Sequence, residues 1–432
     1  MASVALLTAL VAGLVQGCTS STSWTGDPPP LRVGVLVDCV GFFRNLQDAS
    51  LAGAEIPLLT RGASLRGPLP SDGVTTATVA GRPVELVTGC TEASEYSTLI
   101  EQARLLVEVD HVDVVIGGTW PGDGLVLGDV ARRYPGTSFV IVGAGPREAT
   151  LTGTVPNLFR FAPDLSQQAA GLGTYAFTEL GWRNAVVIAE DDEVGWGGAA
   201  AFLAEFCALG GRASQFLLAW DPAAPSPAAA VHSADGVAVF LTPFGRTPDK
   251  LAALAAGRKP LATSLVLGPG VSYTLEYLRA LPRSLRGVIT AVPAPGADTT
   301  REQYRTAYTR NFPGLAEREA MQPSVVAYHD AVEAVMRALE QSGGTVGTGG
   351  GALRQALGSL DTDLVAGRVR LDGNRAAVVS TALTRLGGDG SEKPIRSVPD
   401  VDQTFGGALP STYQPTSGEQ PCRAGPAPPW AR

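Results

Sequence analysis

Side chains with the chemistry of common enzymes are sparse in this chain. Its 432 residues include three histidines, His111, His232 and His329. None stands in a His-Glu-x-x-His pair, which would set two zinc ligands on one helix face. No Gly-x-Ser-x-Gly turn lifts a serine nucleophile above a sheet, and no Cys-x-x-Cys spacing offers a zinc or redox centre. The run Gly-Thr-Gly-Gly-Gly-Ala at 347–352 imitates a dinucleotide fingerprint, but it follows a helical pattern rather than a strand and reads as a connector. The chain is therefore read as no enzyme, with no cofactor and no metal. What remains is recognition. Residues 117–124, Gly-Gly-Thr-Trp-Pro-Gly-Asp-Gly, form a glycine-rich turn opening into a helix, where backbone N–H groups can receive a carboxylate or another acceptor. Gly143, Ala144 and Gly145 repeat the theme, since glycine lets a ligand approach the main chain.

These loops need a scaffold, and the hydrophobic pattern supplies one. Apolar runs at 31–37, 83–87, 112–116 and 138–142 read as buried parallel strands. Between them Leu46, Ala49, Gly53 and Ile56, and then Leu99, Ala103, Leu106 and Val107, recur at helical spacing. This alternation predicts a parallel sheet covered by helices on both faces. The rhythm restarts with a helix through Ala169, Leu172, Ala176 and Leu180. Strands follow at 185–189, 216–220, 236–241, 264–268 and 287–292, and a long amphipathic helix runs through Val325, Tyr328, Val332, Val335 and Leu339. The fold class is α/β, with two doubly wound lobes; residues beyond about 387 read as a Pro/Gly-rich tail. In such sheets ligands sit beyond the carboxyl ends of the strands. That rule selects Phe42, Phe43, Thr119, Trp120, Asp123, Gly143, Ala144 and Gly145 in the first lobe. In the second it selects Val194, Trp196, Phe244, Arg246 and Pro269. Trp120, Trp196 and Phe244 offer apolar walls, and Arg147 and Arg246 at the rim suit an anionic or polar ligand.

The body resembles the branched-chain amino-acid-binding family of type I periplasmic solute-binding proteins, which serve ABC transporters. The likeness is carried by Val33-Gly-Val-Leu-Val37 with Ala52-Gly-Ala54, by Val112-Asp-Val-Val-Ile-Gly-Gly118 and by Leu158-Phe-Arg-Phe161. It continues through residues 189–198, Tyr328-His-Asp-Ala-Val332 and Gly367-Arg-Val-Arg-Leu-Asp-Gly373. The resemblance implies three hinge crossings, near 158, 290 and 366, and closure of the lobes around a ligand. Lobe one would comprise 31–158 plus 291–365, and lobe two 159–290 plus 366–386. Expected partners are a small molecule (an amino acid, an amide or another small polar solute) and an ABC permease; an anchored sensor of the same fold is the alternative. Amino-acid binders carry an acidic residue after the strand matching 264–268, whereas this chain reads Gly-Pro-Gly-Val-Ser at 268–272. An α-amino acid is thus disfavoured.

The N-terminus fits an exported protein. Residues 2–15 are almost wholly apolar, and Val15-Gln-Gly-Cys18 resembles the lipobox of a bacterial lipoprotein, with Cys18 the lipidated residue, 1–18 the signal and 19–30 a linker. The expected location is extracytoplasmic, anchored to the outer face of the membrane. Four further cysteines, Cys39, Cys90, Cys207 and Cys422, suit an oxidising compartment. Cys39 and Cys90 follow two strands that meet if they are neighbours, and Cys207 with Cys422 would pin the tail; four cysteines allow three pairings. A net charge of −8 without a basic cluster argues against nucleic acid. A monomer is expected.

Overall fold

The computed structural model describes residues 28–151, 155–218, 234–240, 265–268, 288–386, 392–410, 418–420 and 425–431. Apolar runs too long for a half-exposed strand must be covered on both faces, and here they build two sheets. The first contains β1 (Leu31–Val40), β2 (Ala77–Val79), β3 (Arg82–Glu92), β4 (Val114–Gly117), β5 (Ser138–Ile141) and β6 (Leu158–Arg160), in the order β2-β3-β1-β4-β5-β6. All neighbours are parallel except β2, which pairs antiparallel with β3. On β1 the odd residues Val33, Val35 and Val37 join the core with Tyr328, Val332 and Val335 of the helix Pro323–Gln341. Leu36 points the other way, to Leu99 and Leu106 of the helix Tyr96–Glu108 and Leu127 of the helix Asp123–Arg133. The period of two along the strand thus assigns each helix its face.

The second sheet contains β7 (Asn184–Glu190), β8 (Arg212–Leu218), β9 (Gly236–Phe240), β10 (Leu265–Leu267), β11 (Ile289–Pro293), β12 (Asp361–Asp363), β13 (Arg368–Leu371), β14 (Ala377–Leu386), β15 (Glu392–Val401) and β16 (Gly418–Gln420). Its order is β12-β13-β14-β11-β10-β9-β7-β8-β16, with β15 on β14. The strands β8, β7, β9, β10 and β11 run parallel, and β12 to β16 join antiparallel. Phe202 and Phe206 of the helix Glu193–Ala208 stack with centroids 5.3 Å apart beneath this sheet. The chain passes from β6 into the second sheet, returns after β11 to lay its long helix on the first, and re-enters the second at β12. At the last passage Asp330, buried on that helix, accepts the backbone N–H groups of Val365 at 3.0 Å and Ala366 at 2.8 Å.

Register brings Cys90 of β3 opposite Val37 of β1, and Cys39 and Cys90 form a disulfide with Cα atoms 5.4 Å apart, within the usual range. Cys207 is also disulfide-bonded. Its partner lies outside the described residues, as do Cys18 and Cys422.

The region beyond 387 departs from the reading as a tail. It contains β15, which has Pro394 and Pro399 and follows no clean alternation, because it pairs only with β14 and an edge strand tolerates missing N–H donors. The chain then turns toward the first sheet. The Gln403 side-chain amide donates to Thr150 Oγ1 at 2.9 Å and to Asp164 Oδ2 at 3.0 Å, while Arg147 donates to the Gln403 carbonyl at 3.1 Å and to the Pro410 carbonyl. Finally Trp430 packs on Phe405 with centroids 5.1 Å apart and donates its indole N–H to the buried Glu205. The segment is a strap, rooted on the second sheet and fastened to the loop after β5.

Two stability measurements follow. Gln403→Ala leaves buried Asp164 short of a donor and should lower stability by about 1–3 kcal/mol in urea unfolding; an unchanged midpoint would show that the strap carries no load. Glu55 is buried on the helix Gln47–Leu59, with Oε2 lacking a partner. Burial pushes its carboxyl up from 4.5 to about 8, helped by the negative charges of Asp48 and Asp72. A raised folded value means stability that is complete below the unfolded pKa and lost as pH rises through the folded one. Glu55→Gln should therefore change the melting temperature little at pH 4 and raise it at pH 9; a uniform shift at both would contradict this.

Candidate functional site

The carboxyl ends of β1, β4 and β5 converge on one side of the first sheet. Asp38 ends the apolar run of β1 with its side chain buried. It accepts from the Thr91 hydroxyl at 2.8 Å and from the Thr119 hydroxyl. Tyr328 reaches the same place from the long helix and donates its hydroxyl to the Leu36 carbonyl. Its own acidity is strongly suppressed, first by burial and then by the charges of Asp38 and Asp123.

The turn after β4 folds around Asp123, the first residue of the helix Asp123–Arg133. An acid is favoured at a helix start by the macrodipole and the unpaired N–H groups. Its carboxylate accepts the Trp120 N–H at 2.9 Å, and a backbone hydrogen bond from Thr119 also stabilises its charged form. Burial nevertheless pushes Asp123 up to about 7, with the nearby Asp38 adding to the rise. The loop after β5 is pressed against this turn. The Gly143 N–H donates to the Gly118 carbonyl at 2.8 Å, and a Cβ on Gly143 or Gly145 would collide with the carbonyl oxygens of Gly118 and Pro121. These glycines permit close packing of loop on loop. From below, fully buried Arg160 donates to the carbonyls of Pro146 at 3.1 Å and Gly145 at 3.4 Å, and burial lowers its pKa.

At the mouth, Phe43 packs against Trp120 with centroids 6.1 Å apart, and Phe42, 61% exposed, meets Phe43 edge-on at 5.1 Å. The second sheet contributes the turn after β7. Asp192 caps the helix Glu193–Ala208 by accepting the Gly195 N–H at 2.8 Å, and Asp191 accepts the Trp196 indole N–H at 2.9 Å, with Val194 half-buried between them. The two rims meet. The Tyr96 hydroxyl is pushed up by burial and then by the charges of Glu193 from the second sheet and Asp123 from the first. Its oxygen also lies against Gly122, where a Cβ would strike it.

Of the residues expected from sequence, Phe42, Phe43, Thr119, Trp120, Asp123 and the 143–145 loop lie together, with Val194 and Trp196 on the opposite rim. Phe244, Arg246 and Pro269 lie outside the described residues. Arg147 departs from its reading as a rim cation: its guanidinium is buried and held by the Gln403 and Pro410 carbonyls, with Glu148 at 3.5 Å. Sequence reasoning missed Asp38, Thr91, Tyr96 and Tyr328. Asp38 carried a signal, being the first polar residue after the first apolar run; Tyr328 had none, because its spacing marked only a core helix. The assembled groups are hydrogen-bond acceptors, hydroxyls and aromatic rings. They suit holding a small molecule, and no described cluster of His, Cys, Asp and Glu could hold a metal ion.

Comparison with known proteins agrees with the geometry. The pattern of the family described as periplasmic binding protein matches residues 30–391. An ABC transporter substrate-binding protein from Sphaerobacter thermophilus is similar with 21% identity over 86% of this chain and 99% of that one, at a TM-score of 0.70. A solute binding protein of an ABC transporter from R. palustris, solved in complex with benzoate, has 22% identity over 87% and 98%, at 0.64. A leucine binding protein from Thermotoga maritima MSB8 has 16% identity over 85% and 99%, also at 0.64. No curated protein matches the chain. With two sheets of mainly parallel strands and a family pattern spanning 30–391, the chain belongs to the periplasmic binding proteins of type I, the branched-chain amino-acid-binding-like branch.

Proposed function

We propose that this protein captures a small polar solute between the carboxyl ends of its two sheets and delivers it to an ABC-type permease on the outer side of a bacterial membrane. The observation that carries this reading is the approach of the two rims, with Tyr96, which lies against Gly122 of one, within reach of the charge of Glu193 on the other. A solute touching both rims stabilises the closed form by its contacts to the second lobe, which an open form lacks. Phe43 and Trp120 form the apolar wall, and the polar groups fix orientation. Similar proteins in complex with benzoate or named for leucine support a solute of that size. Lipidation of Cys18 would hold the protein beside its permease as a monomer.

Because binding to the folded form alone raises the unfolding midpoint, a thermal-shift panel of amino acids, amides, nucleosides, sugars and aromatic acids should yield a saturable shift for one class. Trp120→Ala should then weaken that solute by about 1–3 kcal/mol through lost apolar burial; unchanged affinity would remove Trp120 from the site, and conversion of any compound to product would overturn the reading. For the anchor, Cys18→Ala should release the protein from membranes in its host; a variant still pelleting with membranes would contradict lipidation.

A further inference from the structure

The turn after β4 has the form of an acceptor pocket: a chain reversal, a helix start, and N–H groups pointing into one space. In this protein that space is already filled from within. The Trp120 N–H donates to Asp123 Oδ2 at 2.9 Å, and the Thr119 N–H stabilises the same carboxylate. The Thr119 hydroxyl is given to Asp38, which also takes the Thr91 hydroxyl at 2.8 Å. The Gly143 N–H of the adjoining loop goes to the Gly118 carbonyl at 2.8 Å. Neither cation of the neighbouring loop and strand turns toward the turn: Arg147 is held by the Gln403 and Pro410 carbonyls, and Arg160 by those of Gly145 and Pro146.

Resting on the solute-binding reading above, we propose that Asp123 is an internal occupant of the carboxylate pocket, and that the solute is held at this end by a head group that donates hydrogen bonds: an amine, amide or hydroxyl. A ligand carboxylate placed here would meet two carboxylates, Asp38 and Asp123, with the Thr119 hydroxyl and the Thr119 and Trp120 N–H groups spent. Like charges at close range disfavour ionisation of either partner, and an anion that loses these three donors bears more of its desolvation cost. A donor head group finds the opposite: carboxylate oxygens with lone pairs left over after one or two bonds each. Specificity then rests on which groups go unpaired when the wrong ligand enters, which is where polar sites discriminate most strongly.

The test is isothermal titration with compounds that share a body and differ in the head: benzoate, benzamide, benzyl alcohol and benzylamine, and leucine, leucinol and isoamylamine. The wild type should bind none of the carboxylates more tightly than their alcohol, amide or amine counterparts. Asp123→Ala frees the two N–H groups and should gain at least about tenfold in affinity for benzoate or leucine. Asp123→Asn, which keeps one carbonyl acceptor, should gain less, and the melting curves of both variants check that they fold. Tight carboxylate binding by the wild type would overturn this inference while leaving the solute-binding reading in place. An alanine variant that gains no carboxylate affinity would overturn it as well. Failure of every compound with the wild type and both variants would count against both readings.

Discussion

Asp164 has no exposed surface, and it sits where the chain leaves the first sheet for the second. Burial alone would drive its proton back on; the fields of Arg160 and Arg147, the Gln167 N–H and the Gln403 amide oppose that. Gln167 continues the network, donating to the carbonyls of Ala377 at 2.7 Å and Val401 at 2.9 Å, on β14 and β15. Arginines under the first sheet's loop, a glutamine in the crossing and a glutamine in the C-terminal strap thus depend on one carboxylate. Buried polar groups of this kind are costly when one partner leaves, so the junction fixes where the two sheets can sit.

The site inherits its shape from that junction. Arg160 draws the carbonyls of Gly145 and Pro146 downward, which seats the loop after β5 against the turn after β4. The glycines at 143 and 145 allow the two backbones to touch. Pressed together, the loops spend the Thr119, Trp120 and Gly143 N–H groups among themselves, and the carboxylates of Asp38 and Asp123 gather close to the Phe43–Trp120 pair. A scaffold shared by binders of different solutes can change its cargo this way, by altering which backbone groups are already satisfied.

The main parallel strands of both sheets were legible from the sequence because they are continuous apolar runs and the helices between them keep a 3.6-residue period, whereas the antiparallel strands β2, β12, β13, β14 and β16 were not. Cys39 with Cys90 was legible for the same reason, as each follows a strand and the strands are neighbours. The strap was not: Pro394 and Pro399 conceal an edge strand, and Gln403 finds its partners more than two hundred residues upstream. Arg147 was misplaced by the same kind of distance, its acceptors lying at 403 and 410. Position after a strand selected Thr119, Trp120 and Asp123, which share the turn after β4. It did not reveal that Asp123 would turn back onto their N–H groups, since a short carboxylate at a helix start serves a ligand or its own backbone with equal ease.

The central claim is that a small solute is enclosed between the two sheets. Small-angle X-ray scattering of the soluble body, with and without a saturating solute found by thermal shift, tests it most directly. The account predicts a smaller radius of gyration in the bound state, as the rims close over the ligand. Saturable binding with an unchanged scattering profile would contradict it.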